Sequence, residues 1–242
     1  SKEWKTASNN REFVGINHTR IDANLIEVVV NFSLNNIDSS NKLTYLINSK
    51  GVLKVKNEFT YSGSLKDAQM PRFGMNFTMP KNYKNIVWYG RGPHENYIDR
   101  KSSAFVGLYE NLVEDLDFEY SRPQENGYRT DVRWFRALNE NNIGFEIKGE
   151  PLISFSAHYN TIEDFDDGLR PNNPGEKVGT RKRIIKKQRK PIDVPKRDFI
   201  SLNIDLKQMG VGGDNSWGAR TLPKYTINPG NYTYSFTISP VN

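Results

Sequence analysis

Apolar side chains return at every second position along most of this chain. Phe73, Met75, Phe77 and Met79 alternate with glycine, asparagine and threonine, and Ile143, Phe145 and Ile147 follow the same rule. So do Ile153, Phe155 and Ala157, then Ile200, Leu202, Ile204 and Leu206, and last Tyr232, Tyr234, Phe236 and Ile238. Successive side chains on an extended backbone point to opposite faces, so each run predicts a strand with one face in a core and one outward. The largely apolar run Leu25–Phe32 predicts a more deeply buried strand. Leu43–Ile47 and Val52–Tyr61 predict a hairpin that turns across Asn48 to Gly51. Helix signals are few. Thr161 is a candidate cap with Asp164 three residues on, and Gly168 limits any helix there to about two turns. Residues 1–10 are polar and unpatterned and read as a tether, and residues 11–242 read as a single domain. The pattern alone predicts an all-β chain, a large antiparallel sandwich.

Composition narrows the chemistry. The 242 residues are 36% hydrophobic and 12% aromatic, enough for an aromatic-rich core. The absence of cysteine excludes disulfides and thiolate chemistry. No run of 18 apolar residues exists to cross a membrane as a helix, and the start, Ser1 to Lys5, lacks the apolar stretch of a signal peptide. Net charge is +6, and its placement matters more than its size. Between Lys177 and Arg197 ten Lys or Arg face one acid, Asp193, so this segment carries +9 and the rest of the chain −3. A nucleic-acid site would interleave aromatics for base stacking, and none lie here. The segment reads as a solvated ribbon, anchored by Ile184 and Ile185, whose lysines protect a strand edge. No nucleic-acid partner is expected.

The stretch Gln208–Trp217 (QMGVGGDNSW) stands apart from the rest. Gly210, Gly212 and Gly213 let its backbone take positive φ or approach another surface closely. Two turn-forming residues, Asp214 and Asn215, lead to a serine and then to Trp217. An indole there either folds back into its own core or fills a neighbouring surface or a ligand site, since its flat face and N–H donor suit both. Three more segments carry unusual motifs: Trp88–Arg100 (WYGRGPHENYIDR), Arg122–Trp134 (RPQENGYRTDVRW) and Val194–Leu206 (VPKRDFISLNIDL).

In this order the four segments resemble the C-terminal, small-chain region of large bacterial β-galactosidases of the LacZ type, glycoside hydrolase family 2. That resemblance implies a β super-sandwich of the galactose mutarotase kind. It implies a parent that hydrolyses terminal β-galactosides such as lactose with retention, in a barrel that holds both catalytic glutamates and uses Mg2+ and a monovalent cation. It implies no catalytic residue, cofactor or metal in this chain. Its partners would be the barrel and other domains of the same polypeptide, with the parent a homo-oligomer in the periplasm or cytoplasm of a bacterium. Trp217 would form a platform for the sugar or aglycone, flanked by Asp214 and by Asn215, where many relatives have a second Asp. Such a contact is worth on the order of 1–2 kcal/mol.

Glycoside hydrolysis needs two carboxyl groups across the scissile bond. Glu95, Asp99, Glu125, Asp131 and Asp214 have the right type. They read instead as loop supports, accepting from Arg91, Arg100, Arg129 or backbone N–H groups. Gly210, Gly212, Gly213, Glu95, Asn96, Asp99, Arg100, Glu125 and Asn126 are thus expected to structure loops, with Tyr97 helping to pin the loop after Trp88. Trp88 and Trp134 read as core. Of the histidines, His94 lies in a polar loop and His158 reads as a half-exposed edge residue. Two rivals remain at this point. A free-standing aldose mutarotase or epimerase would need His94 or His158 opposite Glu125. A carbohydrate-binding module would use exposed aromatics to bind sugar unaided.

Overall fold

A computed structural model describes residues 2–63, 69–121, 123–165, 190–213, 215 and 219–242. Among them, eleven strands and two short helices appear. The chain opens with α1 (Lys2–Ala7), followed by β1 (Glu12–Asp22), β2 (Leu25–Leu34), β3 (Ser39–Asn48) and β4 (Leu53–Tyr61). Next come β5 (Arg72–Met79), β6 (Asn85–Gly92), β7 (Phe105–Leu112), α2 (Val113–Leu116) and β8 (Arg129–Leu138). The chain ends with β9 (Gly144–His158), β10 (Ile200–Gln208) and β11 (Tyr232–Val241). Every ladder is antiparallel. The main path runs β1-β2-β3-β4-β11-β9-β8-β6-β7, and β10 branches from β9 to pair with β5.

Strand β9 makes the branch possible. Residues 144–150 pair with β11, whereas residues 154–158 pair with β10. Pro151 between them has no N–H to give a ladder, so pairing to one neighbour ends and pairing to the other begins. Aromatic side chains fill the space between layers. Phe73 of β5 meets Phe59, Tyr232 and Tyr234 of β4 and β11, and the Tyr234 hydroxyl donates to the Ile204 carbonyl at 2.8 Å. Phe135 stacks on Phe155 at 4.5 Å, with Trp88 edge-on to the latter. At the N-terminal end, Ala7 of α1 is buried and Trp4 packs on Phe59 and Tyr61.

Four expectations change. Leu25–Phe32 is half-buried and not deep: β1 to β3 form one end of the sheet, and Ile26 and Ile47 stay exposed there. Ile143 precedes β9 in an exposed turn. β10 is buried on both faces, because Ser201, Asn203 and Asp205 are covered as fully as Ile200, Leu202 and Ile204. Trp134 is only partly covered. Asp131 takes a left-handed conformation at φ 53 and the β8–β9 register slips around Val132. A second slip lies between Val132 and Trp134, so Val132 and Phe135, three residues apart, are both in the core while Trp134 turns outward, against Tyr89 and under the guanidinium of Arg136. Trp88, by contrast, is fully buried.

At Thr161 a single 3-10 turn forms over Ile162–Phe165, with the Thr161 N–H donating to Asp164 Oδ2 at 2.8 Å. Gly168, Arg122 and the ribbon residues 177–189, with Ile184 and Ile185, lie outside the described residues. The described end of that segment is pinned: Arg197 pairs with Asp164, and its N–H donates to the Tyr159 carbonyl at 2.6 Å. Strands β1 and β7 end the strand order and carry exposed apolar side chains, Phe13, Val14 and Ile16 on one, Phe105 and Leu108 on the other.

Candidate functional site

The loop that leaves β6 is built around buried polar side chains. Asn96 is fully buried, and its Oδ1 accepts the Thr130 N–H at 3.0 Å and the Thr130 hydroxyl at 2.6 Å. Tyr97 is buried as well, stacks on Tyr128 with rings 5.6 Å apart, and lies under the Arg100 guanidinium at 4.9 Å. Burial and the nearby Glu95 carboxylate push the Tyr97 hydroxyl pKa far up. Glu95 accepts from Arg100 at 3.0 Å, from the Gly127 N–H at 2.8 Å and from the Tyr120 hydroxyl. Asp131 is held by Arg91 at 2.5 Å and Lys101 at 2.8 Å. Burial works against the Asp131 charge, but those two cations outweigh it and lower the pKa. Asn126 accepts the Phe118 N–H at 3.2 Å.

Asp99 reaches out of this loop to the glycine-rich segment. Its Oδ2 accepts the Gly212 N–H at 2.8 Å and lies 3.3 Å from the Thr221 hydroxyl oxygen, which donates to it. Gly212 has φ +64 and Gly213 φ +92, conformations that a side chain would strain. Gly210 packs against the same carboxylate: a Cβ there would stand 2.5 Å from Asp99 Cγ. Asn215 is exposed, and its Oδ1 accepts the Ala219 N–H at 3.3 Å. Trp217 and Asp214 lie outside the described residues.

Glu125 belongs to a second group, whose centre is Arg72. That guanidinium donates to Glu125 at 2.7 Å and to Gln208 at 2.5 Å, and it lies 5.6 Å over the Tyr128 ring. Its Nε stands 3.2 Å from Asp205 Oδ2 but off the line of a hydrogen bond, so the contact is Coulombic. Asp205 is completely buried, and Gly74 makes room for it, since a Cβ there would fall 1.8 Å from Oδ1. Burial pushes the Asp205 pKa up to about 7, and Arg72, whose charge is shared with Glu125, repays only part of that shift. Arg72 itself is held above the ordinary range: burial opposes its charge, and the two carboxylates more than offset the loss.

His158 is not a half-exposed edge residue. It is 5% exposed, because the 116–128 segment closes over the end of β9. Asp117 and the Asn126 carbonyl take its two ring nitrogens, and Glu125 is not among its partners. His94 is exposed, with Nε2 3.1 Å from the Ser103 hydroxyl. Among the described residues Arg129 pairs with no carboxylate. It donates to the carbonyls of Leu116, Gly127 and Pro93, and burial lowers its pKa to about 10.

Sequence reasoning missed Arg72, Asp205 and Asp117. Arg72 and Asp117 lie outside the four motifs. Asp205 falls at what reads as a solvent-facing strand position, and the glycine opposite it, Gly74, was the available signal. Among the described residues no group of three or more His, Asp or Glu converges as a metal ligand set. An open cleft of about 520 Å³, with Lys84, Asn85, Glu110, Leu112, Asp115 and Leu138 on its walls, contains none of the candidate residues.

A family profile described as the β-galactosidase small chain matches residues 1–238. A β-galactosidase of Priestia megaterium is 33% identical over 239 residues, 98% of this chain and 21% of the relative. One of Streptococcus thermophilus is 28% identical over 242 residues, 99% of this chain and 21% of the relative. This chain therefore spans about a fifth of the length of these relatives. Among solved structures, an α-galactosidase from Lactobacillus brevis aligns over 96% of this chain with a TM-score of 0.46 and 9% identity. A galactose mutarotase related enzyme from Lactobacillus acidophilus aligns over 95% of this chain and 72% of its own, with a TM-score of 0.42 and 9% identity.

Proposed function

This chain belongs to the β-galactosidase small-chain family, and from that membership we propose that it serves a galactoside-cleaving polypeptide as a non-catalytic domain that presents Trp217 to the substrate pocket. One observation carries the division of labour. The described carboxylates of the matched motifs are all engaged inside this chain: Glu95 by Arg100 and the Gly127 N–H, Asp99 by Gly212 and Thr221, Glu125 by Arg72, Asp131 by Arg91 and Lys101, Asp198 by Lys81, and Asp205 fully buried beside Arg72. A retaining hydrolase needs a free nucleophile and an acid about 5–5.5 Å apart across the bond. Carboxylates already tied to cations and backbone donors support loops instead.

The catalytic pair then lies in a barrel elsewhere in the same polypeptide, and lactose is the substrate to test. The apolar side chains on the outer strands β1 and β7 suit burial against those other domains. Mg2+ and a monovalent cation in the parent would take ligands other than the described residues, which offer no ligand cluster. The parent is proposed to be a homo-oligomer.

The test is Trp217→Ala in the full-length polypeptide. A lost sugar-stacking contact of about 1–2 kcal/mol corresponds to roughly a 5- to 30-fold rise in KM for lactose, with cleavage chemistry retained. An unchanged KM would remove the platform role.

A further inference from the structure

The two limbs of the glycine-rich loop meet at one carboxylate. The incoming limb runs from Met209, whose N–H donates to the Pro71 carbonyl at 2.9 Å, through Gly210, whose N–H donates to the Tyr225 carbonyl at 2.8 Å. The outgoing limb runs from Ala219 to Thr221. At Gly212 the limbs almost touch, since a Cβ there would lie 3.1 Å from the Ala219 carbonyl oxygen. Asp99 Oδ2 takes the Gly212 N–H from the first limb and the Thr221 hydroxyl from the second. A hydrogen bond to an ionised acceptor is stronger than a neutral one, so a single carboxylate holds both sides. Asp99 itself is well anchored. It sits within the Tyr97–Arg100 turn, closed by the Arg100 N–H to the Tyr97 carbonyl at 2.9 Å, and Tyr97 is buried.

We propose that Asp99 is the positioning residue of this loop, a clasp that holds Gly212 and Thr221 together on either side, in sequence, of Trp217. Gly210 is glycine because a side chain would displace the carboxylate, and Gly212 is glycine because the accepted N–H requires positive φ. The effect on catalysis rests on the platform reading of Trp217; the clasp itself does not.

The test has two arms. In this chain, amide hydrogen exchange is followed at Gly212. Asp99→Ala is expected to speed that exchange about tenfold or more, the loss expected when a hydrogen-bonded amide is released. Asp99→Asn, which keeps an acceptor oxygen, and Thr221→Val, which removes only the second limb, should give smaller increases. Unchanged Gly212 exchange in Asp99→Ala overturns the proposal. In the full-length polypeptide, Asp99→Ala should raise KM for lactose about 3- to 10-fold with little change in kcat. Combined with Trp217→Ala it should add nothing further, because both act through one contact. Additive effects overturn the positioning role. If Trp217→Ala alone leaves KM unchanged while Gly212 exchange responds to Asp99→Ala, the platform reading falls and the clasp stands.

Discussion

His158 Nδ1 lies 2.5 Å from a carboxylate oxygen of Asp117, in a side chain that is almost wholly buried. Its other nitrogen, Nε2, is 3.1 Å from the Asn126 carbonyl. Both partners are acceptors, so the ring is tied on two sides and turned away from solvent. A sugar acid catalyst must reach a ring oxygen with a free N–H. Freshly dissolved α-galactose should therefore reach its anomeric equilibrium in the presence of this chain as slowly as in buffer, followed by proton NMR. Faster exchange would revive the mutarotase alternative and make His158 and Asp117 the first residues to replace.

Asp205 predicts an unusual response to pH. Its folded pKa of about 7 stands well above the ordinary 3.8. Between those values the folded chain keeps a proton that the unfolded chain has released, so this group's stabilisation is full below about pH 4 and is lost as pH rises toward 7. At about 1.4 kcal/mol per pK unit the whole window amounts to about 4 kcal/mol at most. Urea unfolding at about pH 5 and about pH 8, compared between this chain and Asp205→Asn, isolates the term. The variant should show a flatter dependence; identical slopes would mean that Asp205 is ionised in the folded chain throughout.

The two tryptophans of the central strands should respond differently to truncation. Trp88 is fully buried between Tyr109 and Phe155, and its indole N–H donates to the Arg91 carbonyl at 3.0 Å. Trp88→Ala should destabilise by about 4 kcal/mol through the cavity it leaves. Trp134→Ala removes only a partly covered contact with Tyr89 and Arg136 and should stay near 1 kcal/mol. Equal shifts in the urea midpoints would contradict the outward turn of Trp134.

That contrast marks where sequence reading ends. Alternation located β5, β10 and β11, because side-chain direction on a strand follows from the backbone alone, and a hairpin signal located β3 and β4. It misplaced Trp134 because the period breaks between Val132 and Phe135, where the β8–β9 register slips, and nothing in the residue types announces it. It left His158 half-exposed because the segment that buries it, with Asp117, is an irregular loop. The Asp99–Gly212 bond joins residues 113 positions apart, and the Arg72–Gln208 bond joins residues 136 apart. Such pairings belong to topology, which local pattern does not carry. The motif resemblance supplied the family; the partners of each motif residue came from the fold.

Strand β11 has a consequence for how the chain assembles. In the strand order, β1 to β4 reach the other strands only through it, with Tyr232 beside Phe59 on one edge and Ile238 beside Ile147 on the other. The N-terminal meander can form early from neighbours in sequence, yet it remains unjoined until a strand from the far end of this sequence slots between β4 and β9. Closing so long a loop comes before any contact rewards it, which makes that insertion a natural slow step in folding. Until it occurs, β4 and β9 present open edges able to recruit the wrong strand.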